Sequence, residues 1–284
     1  MGRFRDKMDA DLKLAGRSVS TREKYIDCAR RFVKHFRVPP DQLSEEHVRS
    51  FLLFLMEQRK VAVGTYLTYL GAIKFLYRIT LGRPEVVAEL PWPSRPRSRP
   101  EVLTRPEVAR VLDGASSPFW RAFFTTAYAT GLRRFEVAAL RASDIDAGAG
   151  LVRVANGKGG KAREVMLDRE LLLTLRRHWS QHHLRGPFLF PARTPSGGWA
   201  DHAVAPNVAS AAFQEAVSAA QIGRRVTLHG LRHSFATHLL EDGVDLCTIQ
   251  CLLGHANIDT TTIYTQVRTD RIRATPSPLA TLRL

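Results

Sequence analysis

Four prolines fall within ten residues, Pro91-Trp-Pro-Ser-Arg-Pro-Arg-Ser-Arg-Pro100. Proline has no amide hydrogen and a fixed φ, so neither a helix nor a central strand runs through such a stretch. The chain is therefore expected to fold as two bodies on an extended tether, with residues 1–90 before it, the linker at 91–100 and residues 101–284 after it. Three arginines make the tether basic. It suits a path along a polyanion, and it reads equally as a solvated spacer.

The first body reads as all-helical. Ile26, Ala29, Val33 and Phe36 recur at three/four spacing and predict a helix over about 20–36. Pro39-Pro40 stops it. Ser44 caps a second helix, with Glu45 and Glu46 in its first turn and Val48, Phe51, Leu52 and Leu55 as its buried stripe. A third runs from about Val63 to Ile79, with Tyr66, Leu70, Ile73 and Tyr77 on one side, closed by Gly82 and Pro84. A short helix over 4–14 completes a small bundle.

The second body opens on Thr104-Arg-Pro-Glu107, a capping box for a helix reaching about Leu112. A helix from Phe119 to Thr130 ends at Gly131, and another covers Phe135 to Leu140. Leu151 to Ala155 and Arg163 to Leu167 read as two strands around Asn156-Gly-Lys-Gly-Gly160, a strong hairpin signal. Further helices are expected over about 169–182, 205–221, 230–242, 245–253 and 258–263.

The net charge is +15. Residues 1–90 carry 17 Lys/Arg against 11 Asp/Glu, and residues 101–284 carry 22 against 16. Both bodies and the join are basic, which favours a nucleic-acid partner over a membrane surface. The longest apolar run, Phe51 to Met56, is far short of the roughly 20 residues that span a bilayer. The N-terminus mixes charge signs and has no apolar core, so it is not a signal peptide. A cytoplasmic, nucleoid-associated protein is expected. Three cysteines make no disulfide framework. Cys247, Cys251 and His255 share a spacing of four, but burial of the cysteines and a helix stop at Gly254 are the stronger reading, so no metal site is expected.

The chain has no P-loop, no dinucleotide-binding glycine pattern and no HExxH. Its densest polar cluster is His229-Gly-Leu-Arg232-His233, just after Arg224-Arg225. A helix start would point His229 and Arg232 into one cleft. An imidazole beside a guanidinium suits an anion better than a packed core. Tyr264 follows Leu252-Leu-Gly-His255 by nine residues, and alone it reads as a core tyrosine. Arg133 follows the helix-ending Gly131 and alone reads equally as a site residue or a surface residue, with Glu136 placed to hold it.

Together these segments resemble the tyrosine recombinase family, which includes phage-type integrases and bacterial recombinases that resolve chromosome dimers. The resemblance is carried by YATGLRRFEVAALRASDID (Tyr128 to Asp146), NGKGGKAREVML (Asn156 to Leu167), HGLRHSFATHLLEDG (His229 to Gly243) and LLGHANIDTTTIYTQV (Leu252 to Val267). It implies an α+β catalytic domain, mainly α with a small β-sheet, over 101–284. It also implies a helical-bundle core-binding domain over 1–90, the two closing on DNA as a clamp. By position it implies a site of Arg133, Lys158, His229, Arg232, His255 and the nucleophile Tyr264, with Lys161 a second claimant for the lysine. His233 is read as structural. Bulky Phe135 departs from the small residues usual there.

The resemblance further implies phosphoryl transfer with no cofactor and no metal, through a 3′-phosphotyrosine and a Holliday junction. A phenol titrating near 10 needs help at neutral pH. His229 would take its proton, Arg133 and Arg232 would pair with non-bridging oxygens, Lys158 would protonate the leaving 5′-oxygen, and His255 would donate to the phosphate. The expected partners are duplex DNA at two sites and three further copies of the chain; the tail after Arg273 reads either as a segment docked on a neighbour or as a frayed terminus. A simple recombinase of a mobile element, or a dimer resolvase, is the expected role, since no extra N-terminal arm domain is read in the chain. A type IB topoisomerase, a non-catalytic DNA-binding protein and a basic enzyme unrelated to DNA are the alternatives.

Overall fold

A computed structural model describes residues 2–93, 101–154 and 162–254. The chain divides into two compact units, Met1–Ser98 and Arg99–Leu284. Among the described residues no helix is long and apolar enough to cross a membrane.

Among the described residues the first unit holds four α-helices, α1 (Gly2–Leu14), α2 (Val19–Phe36), α3 (Glu45–Glu57) and α4 (Val63–Phe75). Ser18 caps α2 by accepting from Thr21 N. At α3 the reciprocal partner is a histidine, since Ser44 N donates to His47 Nδ1 at 3.2 Å. Val48, Phe51, Leu52 and Leu55 are buried as expected. On α2 the inward residues are Ala29, Phe32 and Val33, with Ile26 and Phe36 half-buried. Phe32, absent from the expected stripe, is the hub. Its ring meets Phe36, Phe51 and Tyr77 edge-on at 5.7, 5.2 and 6.2 Å. The third predicted helix changes to a π turn over Leu76–Thr80, and within that turn buried Tyr77 donates to Pro40 O at 2.9 Å. Buried Lys74 donates to Leu90 O at 2.6 Å and lies 5.3 Å from the Trp92 ring, holding the start of the proline-rich segment on α4.

The second unit begins with α5 (Arg105–Asp113), α6 (Pro118–Thr130) and α7 (Arg134–Ala139). The capping box forms, with Thr104 N donating to Glu107 Oε2 at 2.8 Å. Arg224 grips the same carboxylate at 2.6 and 2.7 Å. That bond leads the causes that hold the Glu107 carboxyl at about 2. A three-stranded antiparallel sheet follows, β1 (Ile145–Asp146), β2 (Leu151–Val154) and β3 (Arg163–Met166), with Val152 opposite Val165. Next come α8 (Arg169–Gln181), a second hairpin of β4 (Pro191–Arg193) and β5 (Trp199–Ala203), and then α9 (Pro206–Ala219), α10 (Leu228–Glu241) and α11 (Leu246–Leu253). β1, β4 and β5 were not expected, being too short or too polar to show an alternating pattern. Phe119, Phe123 and Phe124 of α6 form the aromatic centre of the core with Phe190 and Phe213. Cys28 is buried, but Cys247 and Cys251 are exposed, against expectation.

α6 stops where expected. Gly131 is left-handed at φ +61°, and a Cβ there would sit 2.3 Å from Phe235 Cδ1 on α10. α6 and α10 thus meet at a point with no room for a methyl group. Gly131→Ala is expected to lower the unfolding free energy of this unit by roughly 2–4 kcal/mol, from left-handed strain plus overpacking. Gly197→Ala, at φ +85° in open space, should cost only about 1 kcal/mol. Denaturant melts of the two variants test this, and equal losses would show that Phe235 yields freely.

Candidate active site

Five segment ends supply the described part of the site. They are the end of α6, the start of α7, the start of β3, the start of α10 and the end of α11. Arg133 is the residue before α7. Its backbone N donates to Glu136 Oε2 at 2.8 Å and its Nη1 to Oε1 at 2.9 Å. Glu136 therefore caps the short helix and holds the Arg133 side chain, as its spacing suggested.

Glu136 is buried, its side chain 1% exposed. Arg163, which opens β3, binds the same carboxylate in a two-pronged fork at 3.0 and 2.6 Å. Arg163 Nε also donates to Leu252 O at 2.9 Å. Sequence reasoning missed Arg163, although a signal existed. Side chains alternate along a strand, so Arg163 shares a face with fully buried Val165. A charge on a buried face requires a partner.

Arg232 lies within α10 and is 1% exposed. Its Nη1 donates to Gly131 O at 2.7 Å and its Nη2 to Leu253 O at 2.6 Å. Both carbonyls lie at helix C-termini, where unpaired carbonyls carry partial negative charge. They orient the guanidinium and offset only part of its charge. Arg133 Nη2 reaches Gly254 O at 3.4 Å. The carbonyls of Leu252, Leu253 and Gly254 are thus each held by a different arginine. Gly254 caps α11 at φ +62°, and a Cβ there would be 2.9 Å from Arg163 Cδ.

His229, in the first turn of α10, keeps an exposed edge. Desolvation of its ring and then the charges of Arg232, Arg133 and Arg134 lower its pKa, so it is neutral at pH 7. His233 is half-buried and packs edge-on to it at 4.6 Å. Arg224 of the preceding pair is spent on Glu107. Two arginines thus share one carboxylate, and Arg232, held on carbonyls in the bonds described, adds a further positive charge near the lowered-pKa imidazole, a constellation suited to an anion. Among the described residues no group of three or more His, Cys, Asp or Glu side chains could hold a metal. Lys158, Lys161, His255 and Tyr264 lie outside the described residues, as do the glycine-rich turn, the helix expected over 258–263 and the C-terminal tail.

Residues 101–271 match the phage integrase family, and residues 4–85 match the N-terminal SAM-like domain of phage integrases. This chain belongs to the phage integrase family. A putative integrase/recombinase, y4qK of Sinorhizobium fredii, is 36% identical over 98% of this chain and 89% of its own length. Tyrosine recombinase XerA of Pyrococcus horikoshii is 31% identical over 92% of this chain and 88% of its own. The protein is an enzyme, a tyrosine site-specific recombinase, as the four segments implied. Solved structures show the same fold. A lambda integrase tetramer bound to a Holliday junction gives a TM-score of 0.72 at 18% identity, covering 93% of this chain and 76% of that one. XerH bound to a palindromic difH substrate after cleavage gives 0.71 at 20%, covering 91% and 80%.

Burial alone would raise the Glu136 pKa. The Arg163 bonds, the Arg133 amide and both positive charges outweigh it, and the carboxyl lies below 4.5. Its stabilisation is therefore fully present above about pH 4.5 and is lost as the pH falls through the lower folded value. Glu136→Gln should cost about 3 kcal/mol at pH 7, because it strands two guanidiniums. The gap from wild type should narrow as the pH is taken below 4.5 in chemical melts. A gap independent of pH would show that the carboxylate charge does not matter.

Proposed function

We propose that this recombinase cuts and rejoins duplex DNA through Tyr264, forming a 3′-phosphotyrosine without metal or ATP. The observation that carries this reading is Arg232, buried and aimed by two helix-end carbonyls, beside Arg133 on its carboxylate. Fixed donors of this kind stabilise charge that grows on non-bridging oxygens in the transition state. Neutral His229 is suited to accept the phenol proton. Lys158 is assigned the proton for the leaving 5′-oxygen and His255 a bond to the phosphate, both from the family pattern. The phosphotyrosine keeps the bond energy, so a 5′-hydroxyl of another strand reseals the break.

Residues 1–90 would then bind core DNA, 91–100 link, and 101–284 catalyse. Relatives of this family are seen bound to DNA and, in one case, as a tetramer on a Holliday junction. By that likeness, four copies exchange strands between two sites at the nucleoid. Integration and excision of a mobile element, or dimer resolution, are the roles that fit.

A nicked suicide substrate tests the chemistry. Tyr264→Phe should abolish the covalent adduct while leaving DNA binding intact, and an unchanged yield would sink the assignment. Arg232→Ala should slow adduct formation by roughly 100- to 1000-fold. Paired sites should give recombinant strands. Relaxation of any supercoiled DNA without recombinants would instead indicate a topoisomerase. The cleavage rate should hold down to the ordinary histidine value of 6.5 and fall at some lower pH, as the lowered His229 pKa is crossed; a rate that stays flat until the protein itself unfolds in acid would exclude His229 as the base.

A further inference from the structure

Arg163 and Arg133 bind one carboxylate, but they bind it differently. Arg163 closes both prongs of its fork on Glu136, at 3.0 and 2.6 Å, and uses Nε on Leu252 O. All three of its nitrogens are engaged inside the protein, and its side chain is only 8% exposed. Arg133 gives Glu136 a single side-chain bond, from Nη1, while among the described residues its Nη2 makes a long contact to Gly254 O. With its own backbone amide as the fourth donor, the carboxylate's acceptor sites are filled. Arg163 is thus the counter-ion of Glu136, and the charge of Arg133 is left over.

We propose that Arg163 is a positioning residue: it neutralises Glu136, so that Arg133 keeps its charge and its aim for the scissile phosphate. This rests on the role given to Arg133 above. Without Arg163, the stranded buried carboxylate pulls Arg133 into a two-pronged pair, since fork pairing with a carboxylate is the strong geometry for a guanidinium. Arg133 is then cancelled and turned inward. Arg163 itself does not touch the reacting atoms.

The test pairs two substrates, one with an ordinary scissile phosphate and one with a methylphosphonate as a mixture of both diastereomers. The methyl group replaces a charged non-bridging oxygen and so removes the charge that Arg133 is there to offset. On the ordinary substrate, Arg163→Ala should bind DNA within a few-fold of wild type but form the adduct about 100-fold more slowly, the scale of a misaligned catalytic group. On the methylphosphonate, most of that loss should vanish, in parallel with Arg133→Ala. Arg163→Lys keeps a cation beside Glu136 but lacks the fork. It should lose less than the alanine variant and show the same recovery, so it carries the test if the alanine variant does not fold. An equal loss on both substrates for the Arg163 variants, with Arg133→Ala recovering, overturns the proposal alone. Failure of Arg133→Ala to recover overturns the role of Arg133 and this proposal with it.

Discussion

A buried carboxylate between two guanidiniums is the interaction on which the site depends. Glu136 joins the turn after α6 to the first residue of β3, Arg163, which lies 27 residues from it in sequence. Arg163 extends the bond to α11 through Leu252 O. Each ion alone would be costly to bury. Together they fix three segments to one another and still leave a surplus of positive charge. A salt bridge that consumed all the charge would stabilise the unit equally well but would bind no anion.

The remaining parts are mostly helix ends. An interior helix residue has its carbonyl and amide tied up, whereas end residues offer theirs. The end of α6 gives Gly131 O and the end of α11 gives Leu253 O, both to Arg232. Both ends are closed by a left-handed glycine with no room for a side chain. Dipole ends set the direction of a guanidinium without cancelling it, which a second carboxylate would do.

Local signals were legible because they depend on few residues. Thr104 and Glu107 form their box, Gly131 and Gly254 stop their helices, and Val152 pairs with Val165 in the expected hairpin. Glu136 was legible as the holder of Arg133, because the two are three residues apart. What was not legible depends on distant partners. Phe32 is the hub only because Phe51 and Tyr77 converge on it. Arg224 lies just before the histidine cluster in sequence, but it is bound to Glu107, 117 residues away. Arg163 was hidden in a strand named for its turn, and only period-two alternation points it inward. Cys247 and Cys251 show that burial cannot be inferred from residue type alone.

The grip of three arginines on three successive carbonyls has a thermodynamic corollary. Arg232 Nη2 and Arg133 Nη2 are donors to the end of α11, and an anion entering the site would compete for these same donors. Occupancy of the site and the placement of the α11 terminus are therefore linked functions. By reciprocity, an anion that loosens that terminus by some factor binds more tightly, by the same factor, when the terminus is held elsewhere.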